Sequence, residues 1–318
     1  VAGRPDQDAP GLFCMYSFST CWNSHRHTDG RAMLREIREL GFEYAELSHG
    51  IRMSLVPGVL DAVAAGEIKI STLHNFCPLP IGINHAAPNV FKFTSEDTRE
   101  RNNAFSYTVK TIQMAERLGA RLVVLHLGCI EMKEYTDTLV GLLEKKQQHT
   151  PKYLKLCQEI EEKREAKKEK YVDLANEMLG RIAREAEARG VLLGVENREA
   201  LEEIPLESDF GFLFKKFPSP TVGYWHDTGH AQIKENLGFI GHARHLEAMA
   251  ERLRGFHIHD VQPPARDHCP PGTGMIDWAQ LKPFVKPEHI KVFEFAPGMP
   301  VEDARRGVAH IKSIWGEE

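Results

Sequence analysis

One unit recurs along this sequence: an amphipathic helical stretch closes on a glycine, and a short apolar run begins within a few residues. It is read in "MLREIRELGFEYAEL", "LDAVAAGEIKIST", "IQMAERLGARLVVLH", "IAREAEARGVLLGVE" and "EAMAERLRGFHIHD". The glycine suits a helix C-cap because it tolerates left-handed backbone, and the following run is apolar on both faces, as strands buried in parallel sheets are. Three further runs, "GLFCMYSFS", "TVGYWHD" and "IKVFEF", bring the strand candidates to eight. Helices are predicted at Asp29–Leu40, Pro57–Ala65, Ser95–Leu118, Tyr171–Arg189, Glu207–Phe217, Gly241–Arg254, Asp277–Val285 and Val301–Trp315. Eight alternating units predict an α/β fold of the (β/α)8 TIM barrel type, which takes roughly 250 residues and accepts insertions. The rival doubly wound sheet is disfavoured, since no G-x-G-x-x-G follows the first strand.

The chain has 318 residues, and the surplus over a minimal barrel can be located. Residues 1–10, "VAGRPDQDAP", read as a loose N-terminal tail, leaving 11–318 as one barrel. Between the fourth and fifth strands lies a charged stretch with Pro151 between two helical patterns, so an inserted helical hairpin is expected at approximately 132–170. Its acidic and basic residues alternate, which reads as a solvated face, an oligomer contact or an active-site wall rather than a nucleic-acid patch. A formal net charge of -5 offers no global field for nucleic acid or an anionic membrane. No apolar run reaches the roughly 20 residues that span a bilayer. Six cysteines without a C-x-x-C pair suggest reduced thiols. A cytoplasmic location is expected, with a removed secretory leader left open because the numbering starts at Val1.

In a barrel, the C-terminal ends of the strands converge on one opening. Read in order, those ends carry Glu46 and His49, His74, His126, Glu196 and Asn197, Asp227 and His230, His257 and His259, and Glu294. A lone buried histidine or glutamate has a bland explanation in a backbone hydrogen bond or an ion pair. Glu196, Asp227, His257 and Glu294, however, come from four successive strands, and three converging carboxylates without a cation repel one another. They predict a divalent metal site. Three oxygen donors and one imidazole suit Mn²⁺, Mg²⁺, Co²⁺ or Zn²⁺.

The ordered set "VEN" at Glu196, "HDTGH" at Asp227, "HIHD" at His257 and "FEF" at Glu294 resembles the xylose-isomerase-like TIM barrel superfamily, from about Leu12 onward. That superfamily holds sugar isomerases and epimerases, related lyases and endonuclease IV. By this resemblance, Glu196, Asp227, His257 and Glu294 match the ligands of one-metal ketose epimerases, and His230 matches a histidine that contacts substrate. Arg266 and His268, in "RDHCPPGTGMIDW", fall where substrate donors are expected, and His74 and His126 join them as substrate-binding candidates.

The expected chemistry is isomerisation or epimerisation of a sugar or polyol, or dehydration through the same enediolate. A metal acidifies the C–H beside the chelated oxygens while Glu196 and Glu294 exchange the proton. The alternative implied by the resemblance is an endonuclease IV-like zinc phosphoesterase acting on abasic DNA, with His74, His126, His230 and His268 as additional ligands and a multinuclear zinc centre. Arg266 stands where that reading expects an aspartate and would repel a third metal. The expected partner is therefore a small sugar or polyol, with nucleic acid disfavoured, no membrane and a homo-oligomer left open.

Overall fold

The computed structural model describes residues 15–316, so the N-terminal tail and Cys14 lie outside the described residues. Eight parallel strands close into a barrel: β1 (Tyr16–Ser19), β2 (Tyr44–Leu47), β3 (Lys69–His74), β4 (Leu122–Leu125), β5 (Leu192–Glu196), β6 (Val222–Asp227), β7 (Leu253–Ile258) and, after a small hairpin, the last strand at Ile290–Phe293. That hairpin pairs β8 (Asp260–Gln262) with β9 (Arg266–Cys269), which makes the closing strand β10. Each barrel strand pairs with its sequence neighbours, and β10 returns to β1. The (β/α)8 architecture follows.

Helices α1 (Gly30–Glu39), α2 (Val56–Ala64) and α3 (Thr98–Leu118) surround the first half, and α6 (Phe210–Lys216) through α10 (Val301–Trp315) surround the second. Asp29 starts α1 by accepting from the amides of Arg31 and Ala32. Gly119 and Gly190 end their helices at φ 69° and 67°, as the repeated unit predicts. Gly255 breaks the pattern. It lies inside β7, and the preceding helix stops at Met249, because a Cβ at Gly255 would strike the Ile290 carbonyl and the Trp225 ring. Trp225 plugs the barrel interior with Leu122, Val124, Ile290 and Val292.

Between β4 and β5 stand α4 (Thr136–Glu144) and α5 (Pro151–Arg189). The helix expected to begin at Tyr171 is the second half of α5, which runs unbroken for 39 residues, about 58 Å at 1.5 Å per residue. Thr150 caps it and Pro151 occupies its first turn, where a missing amide costs nothing. Residue 170 therefore marks no boundary. Tyr135, Leu139, Leu142, Tyr153 and Ile160 from this region form a satellite core with Leu201, Ile233, Leu237 and Val261. The added helices thus brace the loops after β5, β6 and β7 from the side.

Candidate metal centre

Where three strands end, the backbone delivers a carboxylate or imidazole into the barrel mouth. Glu196 is the last residue of β5 and Asp227 the last of β6, and Asp227 pairs in register with His257 on β7. Glu294 follows β10 directly. The ligand atoms of Glu196, Asp227, His257 and Glu294 all lie within 4.8 Å of one another, and all four side chains are buried. Nδ1 of His257 sits 2.9 Å from Glu196 Oε1 and 3.1 Å from Glu294 Oε2. Its other nitrogen donates to Glu46 Oε2 at 3.0 Å, and Thr72 Oγ1 donates to the same carboxylate at 2.8 Å. Glu46 thereby aims the His257 ring, as an outer carboxylate aims a metal-binding histidine.

Electrostatics show what this group lacks. Burial pushes the Asp227 carboxyl up to about 7, and the Glu196 charge adds to the shift. Burial also works against a charge on His257, but Glu294 and Glu46 outweigh it and raise that imidazole well above its ordinary value. The surrounding carboxylates thus favour the imidazolium form of His257. Glu196 stays ionised: burial opposes this, but the Arg198 guanidinium holds its carboxyl well below the usual range. A divalent cation fits the donor set, since it supplies the charge that the protonated histidine now provides.

A second group adjoins the first. His74 Nδ1 donates to the Asn75 carbonyl at 2.9 Å and His126 Nδ1 to Asn89 Oδ1 at 2.9 Å, leaving both Nε2 lone pairs facing inward. His126 Nε2 is 2.7 Å from Glu196 Oε2 yet has no hydrogen-bond partner. Burial and Arg198 lower the His126 imidazole to about 3, so it is neutral and two lone pairs confront each other. Such a contact invites a cation. Arg198 already supplies one, donating to the same Oε2 at 3.1 Å and to Glu203 at 3.0 Å.

A third side of the mouth is built by the helix α7 (Thr228–Asn236), which is not among the eight helices predicted from the sequence. Asp227 caps it by accepting from the His230 amide at 2.7 Å, which places His230 in the first turn. Gly229 has a reason other than turn freedom: a Cβ there would collide with the His259 ring. His259 accepts the His268 amide at Nδ1, so its Nε2–H donates to Asp227 Oδ2 at 3.0 Å. His230, His259 and His268 offer ligand atoms within 4.8 Å of one another, and so do Glu199, His230 and Asp267. Burial, reinforced by Asp267 and Glu203 against the opposing Arg198, pushes the Glu199 carboxyl up to about 7.

Of the residues singled out in the sequence, His74, His126, His230 and His268 stand around the four-residue group. Arg266 does not join them. It is exposed on β9, and its guanidinium reaches Gln262 at 3.5 Å, while Asp267 and His268, the latter at φ 50°, both turn toward the mouth. Trp22, Phe76 and Trp225 are core residues with no free face for a sugar. His226 is buried on the helix side of β6, between Tyr224 Oη at 2.8 Å and His242 Nε2 at 2.9 Å, as strand alternation predicts. The sequence reading passes over Asn89, Arg198 and Glu199, and weighs Asp267 only as a stand-in zinc ligand should its loop shift by a residue. Arg198, two residues after Glu196, and Asp267, beside His268, carry a signal in their spacing; Asn89 lies 37 residues from the histidine it orients.

The chain belongs to the xylose isomerase-like TIM barrel family, whose model matches residues 34–314. No curated protein matches the chain in sequence. Among solved structures, a D-tagatose 3-epimerase-like protein superposes with a TM-score of 0.67 at 17% identity, covering 94% of this chain and 96% of that one. The 3-keto-D-glucoside 4-epimerase of E. coli gives 0.66 at 13% identity, covering 94% and 98%. The IolI protein with a bound zinc atom gives 0.64 at 16% identity, covering 94% and 99%. At these identities the likeness is one of fold.

Proposed function

We propose that the protein is a divalent-metal-dependent sugar or polyol isomerase or epimerase, with Glu196, Asp227, His257 and Glu294 as the metal ligands. The observation that carries this reading is the convergence of those four buried side chains, from four strands, within 4.8 Å. The solved sugar epimerases of the same fold support the substrate class. A bound cation would supply Lewis acidity to adjacent oxygens of a keto-sugar or polyol and so acidify the intervening C–H.

The chain's own residues do the rest. Glu196 and Glu294 stand on strands three places apart in the barrel order and meet His257 Nδ1 from separate directions. One removes the proton and the other returns it on the opposite face. Arg198 keeps Glu196 anionic and ready as a base. The Nε2 atoms of His74 and His126, together with His230 and His268 at the rim, hold substrate hydroxyls. Arg266, exposed on the hairpin, serves only as an outer contact.

A second reading is favoured by the lone pairs of His74 and His126 turned on Glu196: a multinuclear zinc phosphoesterase of the endonuclease IV kind. The Arg198 guanidinium on Glu196 Oε2 weighs against it, because a second cation there would meet a like charge. Incubation of the manganese-loaded protein with ketohexoses in D2O separates the readings. Deuterium should enter beside the carbonyl and be lost with chelator, and Glu294→Gln should slow entry by about 10²–10⁴-fold. Cleavage of abasic-site DNA that chelator and Glu294→Gln abolish, with no deuterium in any sugar, would overturn the proposal.

A further inference from the structure

Outside the barrel mouth, α5 and the segment Ile204–Lys216 part to leave a half-open cavity of about 500 Å³. This falls within the roughly 300–1,000 Å³ of small-molecule sites. Its walls are apolar: Leu127, Val172, Ile204 and Leu213, with Phe212 standing 73% exposed at the edge. Among them, Asn176 from the middle of α5 is only 8% exposed and makes no hydrogen bond to any described residue. Its carboxamide opens on the cavity, where a bound group can meet it.

We propose that this cavity binds a small organic molecule with an apolar body and an amide-like edge, uncharged or cationic. The carboxamide of Asn176 offers one acceptor and two donors, so it complements a group that presents both a donor and an acceptor side by side. Charge narrows the choice further. The rim carries Glu165, Glu169, Asp173 and Asp209 against Lys168 and Lys216, and Lys168 is engaged with Glu165 at 2.7 Å and Asp209 at 3.3 Å. An anionic ligand would meet this net negative rim and is excluded. Occupation would also be felt at the mouth. Leu127 directly follows His126, and the Ile204 amide donates to the Gly128 carbonyl. Asp209 holds Arg164, whose guanidinium clamps the carbonyls of Leu201 and Glu203 in the loop that carries Arg198.

Benzamide is the probe, with benzoate as its charged counterpart, titrated into the full chain and followed by amide resonances. Benzamide should bind saturably and move signals within residues 172–176, 204–205 and 209–216, with benzoate weaker by about tenfold or more. Asn176→Leu should weaken benzamide by about tenfold, the value of one lost hydrogen bond. Val172→Trp fills the cavity from the preceding turn of α5 while keeping the Asn176 side chain, and should abolish binding, which keeps the test decisive if Asn176→Leu fails to fold. The proposal is overturned by equal binding to wild type and Val172→Trp, by shifts confined to the strand ends, or by no saturable binding. A dimer in sedimentation that Val172→Trp dissociates would likewise overturn it, by making this face a subunit interface.

Discussion

Replacing Asp227 with asparagine should stabilise the metal-free protein and destabilise the metal-loaded one. In the unfolded chain an aspartate titrates near its ordinary 3.8, whereas in the fold burial and Glu196 push Asp227 up to about 7. The folded state therefore binds this proton more tightly, so the penalty is absent below the unfolded value and grows as pH rises to about 7. A tenfold change in proton affinity is worth about 1.4 kcal/mol, which makes the penalty about 4 kcal/mol at neutral pH. Asparagine removes the charge but accepts only one of the two donors that now enter the carboxylate, the His230 amide at 2.7 Å and His259 Nε2 at 3.0 Å. That mismatch returns about 1–2 kcal/mol. The remaining gain of about 2–3 kcal/mol corresponds to roughly 3–5 °C in melting temperature for a chain of this size. With metal at about a thousand times Kd, the wild type gains about 4 kcal/mol by mass action, and the variant, short of one ligand, gains much less. Thermal unfolding in chelator and in Mn²⁺ or Zn²⁺ should therefore show the two melting temperatures exchanging order. A variant that melts lower in chelator, or that gains as much from metal as the wild type, refutes the electrostatic account of the site.

Two further outcomes are expected. Glu46→Gln, which removes the charge that aims His257, should weaken metal affinity by about 10–100-fold in competition with a chromophoric chelator; unchanged affinity would show that the ring needs no such support. Burial lowers the imidazoles of His242 and His245 to about 3 and that of His226 well below its ordinary 6.5. The unfolded chain binds those protons first, so stability should fall as pH drops below 6.5, by about 2 kcal/mol for each of His242 and His245 at pH 5. Urea unfolding at pH 7 and pH 5 reads that loss directly, and His245→Phe should recover its share. An unchanged pH slope in the variant would contradict it.

The sequence carried the barrel because its information is local and repeated: a capped helix, a glycine, an apolar strand. It failed where a short segment answers to a distant neighbour. Gly255 looks like a helix cap until Trp225 and the Ile290 carbonyl force it into a strand, and α7 has too little apolar periodicity to be read before Asp227 is seen capping it. The four converging side chains were legible because each lies at or within one residue of a strand's end, where alternation fixes its direction. Glu46 sat in the same register, but its partner His257 lies 211 residues away, so its orienting role emerged only from the closed barrel. Arg266 was the opposite case, a charge in a suggestive stretch that the β8–β9 pairing turns outward.

The raised imidazole of His257 gives the proposed metal centre a cationic group of its own. A chain so built can complete its fold before any metal arrives, and loading becomes a substitution in which the incoming ion displaces a proton from the imidazole. Occupancy is then set by the ratio of metal activity to proton activity rather than by metal alone. A protein with this centre would respond to the acidity of its surroundings even where the supply of metal is constant.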